Sequence, residues 1–270
     1  MKKISFTIPG ILLLITLQNC STVPLTGRQQ LNLVPNSSML SMSFQQYEDF
    51  LKTNKISTDQ QMTGMVMRVG KNIQNAVERY FTSTGMSAEL REYQWEFNLI
   101  ENAEMNAWCM PGGKVVVYTG LLPVTRDDPG LAVVMGHEIA HAIAKHGNER
   151  MSQQLAAQMG GLALSVALAE QPQETQMLWM TVYGVGAQYG AILPYSRLHE
   201  SEADQLGLIF MAMAGYDPNE AVEFWERMAA QKKNGEIPEF LSTHPSDVSR
   251  IGKIKSQIPK AMEYYQPPAR

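Results

Sequence analysis

Asp128-Pro129-Gly130-Leu131-Ala132-Val133-Val134-Met135-Gly136-His137-Glu138-Ile139-Ala140-His141-Ala142-Ile143-Ala144-Lys145-His146-Gly147 reads as one helix with both ends written in. Asp128-Pro129 supplies an N-cap and a proline at the first helical position, where a missing N–H does no harm. Gly147 stops the run after about His146. Inside the run lies His137-Glu138-Ile139-Ala140-His141, the pattern H-E-x-x-H. Residues four apart are separated by about 40° around a helix and about 6 Å along it, so both imidazoles leave one face and reach one tetrahedral zinc ion. Glu138 lies one turn before His141, placed to act as general base on a water whose pKa zinc brings down to about 7.

A catalytic zinc takes three protein ligands and keeps one position open. One common pattern completes the set with a glycine three and a histidine six positions after the second histidine, but Ala144 and Gly147 stand there. His146 points to another side of the helix and reads as a cation interacting with the helix C-terminus. The other solution is a carboxylate from a later helix, and Glu200-Ser201-Glu202-Ala203-Asp204 offers two, one turn apart. A single face can give Glu200 to the zinc and Asp204 to the outer nitrogen of a liganding histidine. Glu202 lies off that face and reads as solvated.

The composition narrows the classes around this motif. In 270 residues, 44% hydrophobic against 18% charged excludes disorder as a description of the whole. A net charge of −4 and a pI near 5.8, with no tract of Lys or Arg, give a nucleic acid nothing to hold. Two cysteines, Cys20 and Cys109, forbid a disulfide framework and any four-cysteine metal site.

Outward from the motif, Asn36 to Asn54 and Thr58 to Phe81 carry apolar residues at helical spacing. Tyr93, Trp95, Phe97 and Leu99 alternate with polar residues as a half-buried strand does, and Met105–Met110 and Lys114–Tyr118 flank the turn Pro111-Gly112-Gly113. The expected architecture is therefore α+β, mainly helical, with a small three-stranded sheet beside the H-E-x-x-H helix. An extended peptide can add to the sheet edge near Met105–Met110. Cys109, in that strand, reads as a small buried side chain. Further helices are expected at about 148–170, 176–193, 197–214, 217–233 and 245–257. The first two of these are rich in Ala, Gly, Leu and Met; glutamines interrupt both, so they read as buried helices, not membrane spans, with a membrane-facing surface left open.

At the N-terminus, Met1-Lys2-Lys3, an apolar run from Ile4 to Leu17 and then Cys20 look like a bacterial lipoprotein signal. That reading makes 1–19 a signal peptide, Cys20 the lipidated residue and membrane anchor, 20–35 a tether and 36–270 a single domain. It places the protein in the cell envelope, facing the periplasm, at the outer membrane; a plain periplasmic or secreted protein is the other reading.

His137–His141, Glu200-Ser201-Glu202-Ala203-Asp204 and Thr243-His244-Pro245 together resemble the zinc metallopeptidase family that includes HtpX, the CAAX prenyl proteases, LoiP and BepA. The run Asn106-Ala107-Trp108-Cys109-Met110-Pro111-Gly112-Gly113 is similar to the strand and turn that precede the metal helix there, and the resemblance covers roughly residues 30 to 257. It implies a zincin-like domain with one zinc ion held by His137, His141 and Glu200, with Glu138 as base and Asp204 behind His137. It also implies that His244 lies near the metal, as oxyanion stabiliser or in the open position of a resting form, with Arg250 close by. Tyr195 and Arg197 are weaker candidates for the oxyanion; for Tyr195 a packed aromatic is the other reading. The function so implied is a zinc-dependent endopeptidase of the bacterial cell envelope cleaving unfolded or misfolded proteins. The alternative is an envelope chaperone or assembly factor with a latent or structural zinc site.

Overall fold

The computed structural model describes residues 20–231, 238–244 and 248–267. Its strands are β1 (Cys20–Thr22), β2 (Gln29–Leu31), β3 (Glu96–Ile100), β4 (Ala107–Met110) and β5 (Lys114–Tyr118). Its helices are α1 (Asn36–Thr53), α2 (Gln60–Ser83), α3 (Leu122–Thr125), α4 (Asp128–Ile143), α5 (His146–Ala167), α6 (Gln173–Ala187), α7 (Leu193–Met213), α8 (Glu220–Gln231), α9 (Glu239–Thr243) and α10 (Val248–Met262). A π-helical turn, Gln188–Ile192, joins α6 to α7. The expected signal peptide 1–19 and Pro245 lie outside the described residues. The chain divides into two compact units, one of Met1–Asn36 with Lys145–Ser196, the other of Ser37–Ala144 with Arg197–Arg270.

The larger unit is built on a sheet of order β3-β5-β4. Central β5 is buried along its whole length, which is why Val115-Val116-Val117 forms a continuous apolar run and not an alternation. It pairs parallel with β3, Phe97 opposite Val115, and antiparallel with β4, Ala107 opposite Val117. The β4–β5 turn places Gly112 and Gly113 at φ 88 and 87, a region in which a Cβ is strained. Across the sheet lies α2, started by the Asp59 side chain accepting from the Met62 N–H at 2.8 Å. Its buried stripe of Val66, Val69, Ile73, Val77 and Phe81 keeps the expected spacing, each residue stabilising the fold by about 1.5–3 kcal/mol. Gly70 lets the Phe97 ring lie against the helix backbone.

The metal helix α4 runs through the middle of this unit, buried on nearly every side, as befits a helix apolar all round. Its cap differs from the expected one: Asp127, not Asp128, is the N-cap, accepting from the Gly130 N–H at 3.0 Å. Asp128 is the first helical residue, where its charge suits the helix N-terminus, and it is paired with Arg68 at 2.6 and 2.7 Å. The stop differs too. The helix ends at Ile143, Lys145 turns the chain with φ 55, and Gly147 sits inside the next helix. His146 is accordingly a buried residue of α5 and not an exposed cation at the end of α4.

In the smaller unit, residues 20–31 form a two-stranded antiparallel ladder, Cys20 opposite Leu31. Arg28 holds the buried Glu149 of α5 through two bonds of 2.9 and 2.7 Å, and Ser152 and Asn148 bind the backbone of Leu33 and Val34. Beyond that contact α5 and α6 form a hairpin. Tyr183 lies in a notch made by Gly160 and Gly161 and donates to the Ala157 carbonyl at 2.7 Å. These helices are not the buried ones the sequence led us to expect. None of the residues of α6 is buried, and Leu162, Val166, Met177 and Leu178 are all more than 60% exposed. No helix among the described residues is long and apolar enough to cross a membrane.

Candidate metal centre

Three elements of the larger unit bring the site together. The α4 helix presents His137, Glu138 and His141; α7 presents Glu200 and Asp204; His244 caps the C-terminus of α9. The two long helices approach closely because each has a glycine at the crossing, a Cβ on Gly136 or Gly207 falling 2.8 Å from backbone atoms of the other helix.

At the centre, His137 Nε2 lies 3.1 Å from His141 Nε2 and 3.2 Å from His244 Nδ1. Glu200 lies 3.4 Å from both His137 and His141, and 3.1 Å from His244. Zinc bonds of about 2.0–2.1 Å in a tetrahedron imply ligand–ligand edges of about 3.3 Å, which these separations match. The donor set of two or three imidazoles and a carboxylate thus fits a divalent metal in spacing as well as in chemistry.

Behind the centre the chain is equally ordered. Asp204 Oδ1 is 3.0 Å from His137 Nδ1. The carboxylate can only accept, so Nδ1 carries a proton, and once Nε2 gives up its own to a metal its lone pair faces inward. Arg250 grips Asp204 with bonds of 2.9 and 2.7 Å, donates to the His244 carbonyl at 3.2 Å, and stacks on Trp225 with its guanidinium carbon 3.6 Å from the ring centre. The Phe240 ring packs 4.8 Å from that of His244.

Burial would lower the His137 imidazolium, but its bonds to Asp204 and Glu200 outweigh that and hold the metal-free ring up at about 9. Burial would raise Glu200, yet the three histidines around it drive its carboxyl far below the usual range. In Asp204 the same opposition is won by Arg250 and His137, and the group is lowered. Glu138 goes the other way. Burial raises it, against the charges of His244 and His137. Its Oε1 lies 3.2 Å from His244 Nε2, is shielded from solvent, and finds no well-directed hydrogen-bond donor among the described residues. A carboxylate kept basic and unsatisfied beside a metal cluster is suited to take a proton.

His137, Glu138, His141, Glu200, Asp204, His244 and Arg250 are thus brought together. Tyr195 and Arg197 are exposed in the first turn of α7, and Tyr195 is not the packed aromatic considered for it. Glu202, expected in solvent, is buried. Cys109 is half-buried, and burial pushes its thiol well above the ordinary value, with the Glu138 charge adding to the effect. The sequence reading missed Trp225 and Phe240, whose spacing marks them only as core, and the glycine pair at the crossing. Two mid-helix glycines were the available signal.

Residues 68–258 match peptidase family M48. The mitochondrial metalloendopeptidase OMA1 of Schizosaccharomyces pombe is 36% identical over 190 residues, 70% of this chain and 53% of that protein. OMA1 of Bos taurus is 30% identical over 245 residues, 89% of this chain and 46% of its own length. The beta-barrel assembly-enhancing protease of Escherichia coli is 31% identical over 187 residues, 66% of this chain and 38% of that protein. The chain therefore spans about half the length of these curated relatives, or less. These relatives correct the localisation read from the N-terminus: OMA1 proteins from yeasts to mammals are mitochondrial, which overturns the expectation of an outer-membrane lipoprotein facing the periplasm. By that match over residues 68–258, the chain belongs to peptidase family M48.

Proposed function

We propose that this chain is a zinc-dependent endopeptidase that cleaves unfolded or flexible polypeptide segments. The observation that carries the reading is the tetrahedral spacing of His137, His141, Glu200 and His244 with the Glu138 carboxylate facing it. A zinc ion held by His137, His141 and Glu200 would supply the Lewis acid that polarises the scissile carbonyl and acidifies the attacking water. Glu138 accepts the proton of that water at Oε1 and returns it to the leaving nitrogen. Asp204 keeps the His137 ring in the liganding orientation, and Arg250, seated on Trp225, keeps Asp204 in place. Substrate fits along β4, which among the described residues pairs with β5 alone, by adding a strand of its own. Only an extended chain can do this, which is why folded proteins are poor candidates.

His244 Nδ1 occupies the fourth corner of the cluster, and this favours a second, compatible reading in which the described state is a resting one, its open position filled by the chain itself. The test is metal content together with cleavage of unfolded casein by the full chain and its Glu138→Gln variant. Zinc in both and cleavage by the parent alone is expected, with a loss on the order of 10²–10⁴-fold in the variant. Equal cleavage by both would overturn the role of Glu138, and no metal in either would overturn the site.

A further inference from the structure

The least explained surface of the molecule is the α5–α6 hairpin of the smaller unit. Twelve of the eighteen large apolar side chains exposed among the described residues fall between residues 155 and 195. Such a concentration exceeds the scattered apolar residues of an ordinary water-facing surface and marks a covered face. We propose that this hairpin lies in the interfacial layer of a phospholipid membrane, along the surface and not across it.

The circumference of α6 argues for lipid over protein. Met177, Leu178, Trp179 and Met180 are consecutive and all at least 37% exposed, and steps of about 100° carry them around roughly 300° of the helix. A docked protein, or a second copy, covers one stripe of such a helix. The acyl boundary reaches every side of it but the one that faces the headgroups. The one side withheld from this exposure is the side that holds the hairpin together, where Tyr183 enters the Gly160-Gly161 notch.

Charge sets the depth. Residues 151–169 and 175–196 contain no Asp, Glu, Lys or Arg. The first of these stretches begins just after Arg150, an exposed cation that suits the phosphates of lipid headgroups. At the tip stand Glu170 and Glu174, both exposed, and plunging that end into hydrocarbon would bury two carboxylates. Neither helix meets the demands of a span. With charges at base and tip and none between, the hairpin satisfies every group by lying flat, its apolar sides in the acyl boundary and its two ends at headgroup level.

The experiment labels single cysteines with a nitrobenzoxadiazole fluorophore in a Cys20→Ser, Cys109→Ser background. Leu162→Cys and Val182→Cys probe the hairpin, and Met67→Cys, exposed on α2, is the control; all three sites are at the surface, where a label is tolerated. The full chain is reconstituted in vesicles of phosphatidylcholine and phosphatidylglycerol. Quenching by a nitroxide on the lipid acyl chain is compared with quenching by aqueous iodide. The expected result is acyl-chain quenching several-fold stronger at 162 and 182 than at 67, with iodide showing the reverse order. Whatever holds the chain on the vesicle, the signal is local to the labelled residue. Iodide quenching equal at all three sites would place the hairpin in water and overturn the proposal. Protection of 162 and 182 from both quenchers would overturn it in favour of a protein partner or a second copy.

Discussion

Replacing Gly207 by alanine tests whether the meeting of α4 and α7 sets the metal geometry. The added Cβ would stand 2.8 Å from the His137 nitrogen and 3.0 Å from both the Gly136 carbonyl carbon and His137 Cα. All three are backbone atoms, so no side chain can rotate out of the way. Restoring ordinary contact at about 3.4 Å requires the helices to part by about 0.6 Å at the point where one of them carries His137. Metal ligands tolerate displacements of about 0.2 Å, so the ligand set opens by more than it can absorb. The expected loss of metal affinity is on the order of 10–100-fold, the range seen when the support of a ligand is disturbed. Overpacking costs about 1–3 kcal/mol, and the better helix propensity of alanine returns about 0.5–1 of it. Net destabilisation of about 0.5–2 kcal/mol should lower the melting temperature by roughly 1–8 °C. Gly64→Ala is the matched control. It adds the same methyl inside α2, where a Cβ meets nothing within 4 Å, so it should stabilise by about 0.5–1 kcal/mol and leave the metal untouched. Competitive metal titration and thermal denaturation of both variants read out the difference. A Gly207→Ala protein with the parent's metal affinity and stability would refute the argument.

Three further perturbations address neighbouring parts of the site. In His244→Ala the fourth corner is vacated; giving up a contact worth about 1 kcal/mol should raise cleavage roughly fivefold while loosening the metal, and a fall in rate would instead make His244 a catalytic group. Arg250→Met leaves Asp204 buried without its cation, which should cost about 3–5 kcal/mol by chemical denaturation; a change under 1 kcal/mol would show that the bidentate pair and the Trp225 stack contribute little. In a Cys20→Ser background, Cys109 should react with iodoacetamide at mildly alkaline pH at least ~10-fold more slowly in the folded protein than in denaturant. Its raised pKa withholds the thiolate until pH climbs well past the ordinary thiol value, and equal rates would contradict that direction.

What could be read in advance was what repeats locally or sits at fixed spacing. The H-E-x-x-H pattern and its helix, the carboxylates four apart, the alternating strand and the stripe on α2 each depend on a period that any few residues display. Sequence could not give the order β3-β5-β4, because a parallel pair with its third strand inserted between in sequence leaves no local trace. It placed the cap of α4 one residue late, since Asp127 and Asp128 are equal as cap candidates and only the geometry of the preceding turn separates them. Glu202 and His146 went astray for one reason: their burial is imposed by elements distant in sequence, and a charged residue on a helix is ordinarily solvated.

The hairpin shows the limit of the same method. A helix apolar on all sides carries no phase, so its sequence says that water should be excluded and not by what. A protein core satisfies that demand in α4, whose buried residues run almost without interruption from Gly130 to Ile143. In α6 the demand has the same form, but the fold leaves it unmet, with Met177 to Val182 exposed in succession. The difference does not lie in the residues of either helix. It lies in whether neighbours exist to close around them, and for α6 the described residues supply none that cover Met177 to Val182.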